Sequence, residues 1–190
     1  MGHSQAEKAQ NRERILAEAS QQVRRDGLES VSVGSLMKSV GLTHGGFYGH
    51  FESRSALLAE ALERALLEGE ANSQASGSPE RFSDILRGYL SRKHRDARDS
   101  GCAVAALAAD VARADEGPRE IMSRYVDSFI EAVAKTLDGD EERATVAVCA
   151  MVGALTLSRV VADPARSDAI LKLMRDHLNS VAAGEAPAKP

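Results

Sequence analysis

The stretch from Gly41 to Phe51, GLTHGGFYGHF, places two histidines, a threonine and a tyrosine among four glycines. Imidazole, hydroxyl and phenol groups form hydrogen bonds, and such groups suit phosphate oxygens and the edges of nucleic-acid bases. His44 and His50 lie six residues apart, whereas two metal ligands on one helix lie about three or four apart. The stretch therefore predicts hydrogen bonding to a partner, and no metal site.

The glycines of this stretch conflict with its apolar spacing. Glycine inside a helix costs roughly 1 kcal/mol relative to alanine, yet Phe47 and Phe51 are four residues apart, which puts both on one helical face. We predict a short helix over residues 43–51, capped by Thr43 and held by the two buried rings. The side opposite the rings is then bare backbone that a partner can approach closely: Gly45, Gly46 and Gly49.

The residues before this stretch form a second short helix in the sequence pattern. Val33 to Val40 has apolar residues on one face, Ser32 is suited to cap its start, and Gly41 ends it. The spacing of Met37, Gly41 and Phe47 is that of a helix-turn-helix, whose second helix enters the DNA major groove. Spacing alone leaves open two ordinary packed helices in a bundle.

Apolar residues recur at helical period along the rest of the chain, so we predict an all-α protein of about nine helices. Gly27 ends the first helix, Ser53 caps the fourth, and Pro118 and Pro164 mark two later helix starts. The SQASGSP segment, residues 73–79, is the clearest loop. The predicted helices cover residues 5–25, 33–40, 43–51, 54–72, 80–94, 102–114, 118–137, 141–162 and 165–181.

The composition fits one folded domain or two small ones, since the chain has 190 residues with 43% hydrophobic and 27% charged. The net charge is −4, but residues 1–54 hold seven Lys and Arg against six Asp and Glu, which permits a DNA-facing N-terminal part. Two cysteines make no disulfide framework. A polar N-terminus and the lack of a long apolar run predict a cytoplasmic protein that does not contact a membrane.

One long segment resembles a known family. Residues 15–62, ILAEASQQVRRDGLESVSVGSLMKSVGLTHGGFYGHFESRSALLAEAL, are similar without a gap to the N-terminal domain of TetR/AcrR transcriptional regulators. The resemblance rests on the IL.EA first helix, DG before a β-branched pair, V..L...VGL, FY.HF, and a serine that opens the fourth helix. The length of the chain and its two-part layout are also those of the family.

The resemblance implies a homodimeric repressor that binds a palindromic double-stranded operator and is released by a small-molecule inducer, with no cofactor. Residues 1–54 would be the DNA-binding domain, residues 55–183 the effector-binding and dimerisation domain, and residues 184–190 a disordered tail. Helices 141–162 and 165–181 would form the dimer interface, although their periodicity fits an internal core equally well.

We predict DNA contacts from the recognition helix and its surroundings. Thr43 and Tyr48 would bind phosphates, and His44 and His50 would reach bases or phosphates. Ser35, Lys38 and Arg54 would supply further phosphate contacts, with the Arg54 position commonly a lysine in the family. The backbone of the three glycines would lie against the groove.

The C-terminal part offers fewer predictions about function. The large or reactive side chains that could line an inducer pocket are Tyr89, Cys102, Met122, Tyr125 and Phe129, although each also fits the core. Cys102 lies at a predicted helix start after the basic segment SRKHRDARD, which favours a reactive thiol and an alternative as a redox or electrophile sensor. Cys149 is predicted to be a buried structural thiol.

An enzyme is the alternative from a different class. His94, Asp96 and Asp99 could exchange protons, but they lie in a charge-rich segment that is more simply a solvated face. We find no Ser/His/Asp arrangement, phosphate-binding loop or metal-ligand spacing in the sequence. A helix-turn-helix protein that binds DNA without any effector is a further alternative.

Overall fold

The computed structural model describes residues 5–74 and 81–184, and for residues 70 and 72–74 it describes the backbone alone. Within these two ranges the ordered elements are nine α-helices and two short 3-10 helices, as the all-α prediction requires. The α-helices are α1 Gln5–Asp26, α2 Val33–Ser39, α3 Arg54–Gln74, α4 Phe82–Tyr89, α5 Arg92–Asp96, α6 Ala103–Val111, α7 Glu116–Ala134, α8 Glu141–Val160 and α9 Pro164–Ala182. The 3-10 helices are Leu28–Ser30 and His44–Gly49.

The N-terminal helices pack around a small apolar core. α1 and α3 lie side by side, and α2 and the second 3-10 helix close the core between them with side chains that are almost completely buried: Ile15, Leu36, Met37, Phe47 and Leu57. The same cluster continues into α6, Met122 of α7 and Leu155 of α8. The predicted boundary at residues 54/55 thus falls at the start of α3, but the apolar core extends across it.

The remaining helices form a second core. α4, α7, α8 and α9 pack together through Leu86, Val133, Met151 and Leu171, which are nearly inaccessible to solvent. Tyr89 contacts both clusters. The C-terminal part is therefore a helical bundle, and its inner surface is continuous with the N-terminal core.

Several predicted helix ends are wrong by a few residues, and one predicted helix is two. The segment 80–94 divides into α4 and α5 because Ser91 caps a new helix, its Oγ accepting a hydrogen bond from the His94 amide. α7 begins at Glu116, so Pro118 is its third residue and not its first. α9 begins at Pro164 itself, after the capping carboxylate of Asp163.

Other predictions about the chain's ends and turns have mixed outcomes. Ser32 and Ser53 do cap α2 and α3, and α1 does end before Gly27, which has φ 93°. Residues 73 and 74, predicted as loop, lie in α3. Residues 75–79 of the predicted loop and residues 185–190 of the predicted tail lie outside the described residues.

α8 is more apolar than the sequence prediction allowed for. Its 18-residue window has a mean hydropathy of 1.4, enough by length and composition to cross a membrane. A core helix of a water-soluble protein passes the same test, so this is weak evidence for a membrane span. Here α8 packs against α7 and α9, and 39% of the window is buried.

Candidate nucleic-acid interface

The predicted recognition helix is a 3-10 helix, so the prediction of an α-helix over residues 43–51 is wrong in type. It runs from His44 to Gly49, and Thr43 stands before it without a capping hydrogen bond from its side chain. The 3-10 form has three residues per turn and suits short segments, which fits a stretch whose glycines give little support to an α-helix.

Phe47 and Phe51 anchor this 3-10 segment as predicted. Their ring centroids are 5.7 Å apart in a stacked arrangement, and both side chains are buried. The turn before the segment is tight, because Gly41 has φ 73° and the Leu42 amide donates to the Met37 carbonyl at 2.8 Å. The segment is therefore held at a fixed angle to α2, which is the arrangement of a helix-turn-helix.

The glycines of the segment have two different surroundings. A Cβ atom built on Gly45 or Gly49 would meet nothing within 4 Å. Gly46 is exposed as well, but a Cβ atom on it would lie 3.6 Å from Thr43 Oγ1 and 3.8 Å from Met37 Cε. Gly45 and Gly49 are thus the two glycines of the segment with open space around them.

Most of the side chains predicted to contact DNA lie on the surface around these glycines. Tyr48 is 68% exposed and touches only the edge of the Phe47 ring among the aromatic contacts of the described residues. His44 lies close to Gly34 at the start of α2, which brings the two helices of the motif together. His50 is half-buried, whereas the side chains that are exposed are Ser35, Lys38, Thr43, His44 and Tyr48.

Arg54 has partners that the sequence prediction missed. Its Nε donates to the Val31 carbonyl at 2.9 Å, and its Nη2 donates to the Glu29 carbonyl at 3.1 Å and to the Glu29 carboxylate at 3.2 Å. The guanidinium thus binds the turn before α2. A contact with phosphate remains a prediction, and it has to compete with these hydrogen bonds.

A second arginine near the motif was not predicted at all. Arg14 of α1 donates from Nη2 to the carbonyl of Val40 at 2.6 Å, and Val40 is the residue that ends α2. The last carbonyls of a helix have no partner within the helix. Nothing in the sequence marks this pairing, because Arg14 is 26 residues from Val40.

The turn between α1 and α2 also contacts the C-terminal part of the chain. Asp110 of α6 accepts a hydrogen bond from the Leu28 amide at 3.2 Å through Oδ2, and its Oδ1 accepts one from Arg113 at 2.9 Å. A Cβ atom on Gly27 would lie 2.8 Å from Asp110 Oδ2. The glycine therefore permits both the backbone angle of the turn and the close approach of the carboxylate.

Four of the five predicted inducer-binding residues meet between α4, α6 and α7. The Tyr89 ring lies 5.7 Å from that of Phe129, and Tyr125 is 6.4 Å from Phe129. The Tyr89 hydroxyl donates to the Cys102 sulfur at 3.0 Å. Met122 is buried in the N-terminal cluster, against which Tyr89 and Tyr125 also pack.

His94 links this aromatic group to the start of α6. Its Nε2 accepts a hydrogen bond from the Cys102 amide at 2.9 Å, so Nδ1 carries the proton of the neutral ring and donates to the Tyr89 carbonyl at 2.8 Å. Arg159 of α8 donates to the carbonyls of His94 and Arg95. Both imidazole nitrogens are thus used in holding the backbone, which leaves no role for His94 in proton transfer.

The pKa of His94 is lowered from its ordinary value, first by burial and second by the charge of Arg159, against a raising effect of the Tyr89 carbonyl. The folded protein therefore holds His94 neutral at pH values where the unfolded chain binds a proton. Its contribution to stability is complete above the unfolded pKa of about 6.5 and is lost as the pH falls below it.

We expect the free energy of unfolding of the wild-type protein to decrease with falling pH below about 6.5 more steeply than that of His94→Gln, which cannot titrate. The extra slope has an upper limit of about 1.4 kcal/mol per pH unit for one proton. Urea unfolding at pH 7.5 and pH 5.5 measures it for both proteins. Equal slopes would contradict the assignment of His94 as a neutral buried ring.

Two surface cavities lie away from the aromatic group. One of about 350 Å³ lies where α1 and α3 meet the loop before α6, and its lining includes Arg24, Glu68 and Asp99. The other, of about 270 Å³, lies between α9 and the end of α4, with Leu90, Asp168 and Arg175 in its walls. A search of the same residues finds no group of three metal-binding side chains.

Comparisons with known proteins agree with this geometry. Residues 15–61 match the family described as bacterial regulatory proteins, tetR family, and no curated protein sequence matches the chain. Among solved structures, reduced NemR of E. coli has a TM-score of 0.74 at 22% identity, with 90% of this chain and 96% of that chain covered.

Two solved structures of TetR transcriptional regulators are similar over nearly the whole length. The regulator from Chloroflexus aurantiacus has a TM-score of 0.76 at 19% identity, covering 96% of this chain and 98% of its own. The regulator from Cytophaga hutchinsonii has a TM-score of 0.76 at 17% identity, and the match covers 100% of both chains.

The fold and the site together define a transcriptional regulator with an N-terminal helix-turn-helix and a helical C-terminal part. Its N-terminal part, residues 15–61, matches the tetR family of bacterial regulatory proteins. Both the family and the similar structures are regulators and not enzymes, which sets aside the enzyme alternative.

Proposed function

We propose that the protein is a cytoplasmic repressor that binds a palindromic operator as a homodimer and is released by a small-molecule inducer. The observation that carries the proposal is the exposed 3-10 segment, which Phe47 and Phe51 fix from below while Gly45 and Gly49 leave its outer surface bare. A backbone without side chains can approach the floor of the major groove closely.

The exposed side chains around the bare surface suit contacts with phosphates and bases. Lys38 supplies a positive charge, and the hydroxyls of Ser35, Thr43 and Tyr48 supply donors that position a protein on the duplex. His44 lies at the start of the 3-10 segment, where it is placed for a base or a phosphate. His50 is half-buried, so a contact through its ring would come from the edge of the segment.

The apolar outer surface of α8 and α9 supports a homodimer. Val146, Leu157 and Val160 of α8 and Leu173 and Val181 of α9 are large apolar side chains exposed to solvent. Cys149 is exposed as well, so its prediction as a buried thiol is wrong. It lies three residues after Val146 and therefore shares the outward face, while Val148 and Met151 face the core.

We call the row of Val146, Cys149, Gly153, Leu157 and Val160 the α8 stripe. Its members recur every three or four residues, the period at which one helix packs along another. An apolar stripe of this kind is unfavourable in a monomer, where it is exposed to water. A second copy of the chain, packed through α8 and α9, is the partner that we propose.

The proposed function is tested with a duplex selected from random sequences by the full-length protein. A palindromic consensus, and a complex that contains two protein chains per duplex by analytical ultracentrifugation, are the expected results. Failure to enrich any sequence, with a folded protein, would overturn the proposal. The constitutive alternative is tested by screening small aromatic compounds for release of the selected duplex.

The aromatic group of Tyr89, Tyr125 and Phe129 is the inducer site that we propose. These rings lie where the two apolar cores meet, and Tyr89 and Cys102 add a phenol and a thiol. An apolar ring stacks on such side chains.

A second candidate function is that of a thiol sensor, and the contact between the Tyr89 hydroxyl and the Cys102 sulfur favours it. Burial raises the pKa of the Tyr89 phenol well above its ordinary value, so the group stays protonated and donates its proton to the sulfur. The sulfur would add to an electrophilic carbon, with the thiol proton lost to solvent.

Alkylation of Cys102 with N-ethylmaleimide is expected to weaken binding of the selected duplex by at least about tenfold, because the adduct cannot fit beside Tyr89 without displacing the start of α6. The experiment uses Cys149→Ser protein, so that Cys102 is the cysteine that reacts. Cys102→Ser protein, treated in the same way, is the control. Unchanged affinity after complete modification would remove the sensor from consideration.

A further inference from the structure

α2 is too short to fix its own direction. It has seven residues. Leu36 and Met37 are buried, and Val33 packs against the same core. Contacts on one face of so short a helix leave it free to pivot unless its ends are held. The direction of α2 matters because Gly41 and Leu42 transmit it directly to the 3-10 segment that follows.

Both ends of α2 are held by arginines from neighbouring helices. At its C-terminal end, Arg14 of α1 donates to the carbonyl of Val40 at 2.6 Å, and its other terminal nitrogen donates to Asn11 at 3.2 Å. A cation at this end also interacts favourably with the helix dipole. Arg14 therefore fixes the end of α2 to the surface of α1.

At the N-terminal end, Arg54 of α3 donates hydrogen bonds to the carbonyls of the turn that leads into α2. It donates to Val31 at 2.9 Å, to Glu29 at 3.1 Å and to Leu28 at 3.4 Å. One planar guanidinium can serve several acceptors at fixed angles, which an ammonium group does less well. Arg54 therefore fixes the start of α2 to the start of α3.

We propose that Arg14 and Arg54 are positioning residues for DNA binding: they clamp α2 at both ends and so set the angle at which the 3-10 segment meets the groove. This inference rests on the proposed function, since the clamp has a role in recognition only if the segment reads DNA. It gives Arg54 a role different from the phosphate contact predicted from the sequence. The hydrogen bonds of Nε and Nη2 to the chain carry that distinction.

Salt dependence separates the two roles. Each phosphate that a cation neutralises contributes about 0.9 to the slope of log K against log salt concentration. A positioning residue instead changes the affinity for the correct sequence and leaves the slope nearly unaltered. If Arg54 bound a phosphate, lysine in its place would keep that contact, because a lysine also binds phosphate as a point charge. Lysine would not restore the clamp.

The experiment measures the affinity of the full-length protein for the selected duplex and for a scrambled duplex over a series of KCl concentrations. Arg54→Ala, Arg54→Lys and Arg14→Gln are each expected to lower the ratio of specific to non-specific affinity about tenfold, with the wild-type slope. Lys38→Ala, as the matched control for a phosphate contact, is expected to lower the slope by about 0.9 and to leave the ratio unchanged.

Three results would overturn the clamp: a slope reduced by about 0.9 in Arg54→Ala, wild-type affinity in Arg54→Lys, or an unchanged ratio in Arg14→Gln. If Arg54→Ala does not fold, the other two variants carry the same test. Amide hydrogen exchange of residues 33–40 without DNA gives an independent measurement. Faster exchange in the variants is expected, and wild-type exchange in all of them would overturn the clamp even if the protein binds no specific sequence.

Discussion

Leu157→Arg is expected to convert the dimer into a monomer and to abolish binding of the selected duplex at physiological salt. Leu157 is 58% exposed in the single chain and lies in the middle of the α8 stripe, so the variant should fold normally. In a two-fold dimer the substitution introduces a charge from each chain into an apolar contact. An unpaired buried charge costs about 3–5 kcal/mol, or more than a hundredfold in affinity.

Leu67 offers a matched control for this experiment. It is also 58% exposed, but it lies on α3, outside the proposed interface. Leu67→Arg is expected to remain a dimer and to bind DNA with an affinity within about threefold of the wild type, since surface substitutions change stability little. Sedimentation velocity measures the assembly state of both variants. A dimeric Leu157→Arg protein would show that α8 does not form the interface.

Gly49→Leu is expected to leave the fold intact and to weaken DNA binding by more than a hundredfold. The backbone of Gly49 is not in the left-handed region, and a Cβ atom there meets nothing within 4 Å, so the side chain fits and is favoured over glycine in a helix. In the complex, the new leucine side chain would clash with the floor of the DNA major groove. Gel-shift titration and thermal unfolding measure the two effects.

Two other glycines make the interpretation of this variant sharper. Gly117→Leu places the same side chain in open space on α7, far along the chain from the recognition segment, and should bind DNA like the wild type. Gly41→Leu should reduce stability instead, because Gly41 has φ 73°, where a side chain is strained. Preserved binding by Gly49→Leu would mean that another face of the segment meets DNA.

The parts of the fold that depend on local patterns were predictable from the sequence. The apolar spacing of Phe47 and Phe51 identified the anchored face, and the capping serines identified the starts of α2 and α3. The type of the recognition helix was not predictable in this way. A spacing of four residues fits an α-helix, whereas the glycine content gives an α-helix little support.

The parts that depend on contacts distant along the chain were not predictable. The sequence suggested that Arg54 is a free surface cation, because most of its partners are backbone carbonyl groups, which every residue has. The contacts of Arg14 and Asp110 were not predicted because they too involve backbone groups of residues distant along the chain. Cys149 was assigned to the core because its neighbours are apolar, but apolar neighbours do not distinguish a face that packs internally from one that we propose a second chain covers.

The hydrogen bond between Asp110 and the Leu28 amide joins the two halves of the regulator, and thermodynamics then imposes a reciprocal relation between them. If an inducer acted by breaking this bond alone, the loss of DNA affinity could not exceed the worth of the bond, about 1.5–3 kcal/mol for a charged acceptor. DNA would weaken inducer binding by the same factor. Through this one carboxylate, either ligand could therefore change the affinity of the protein for the other by roughly tenfold to a hundredfold.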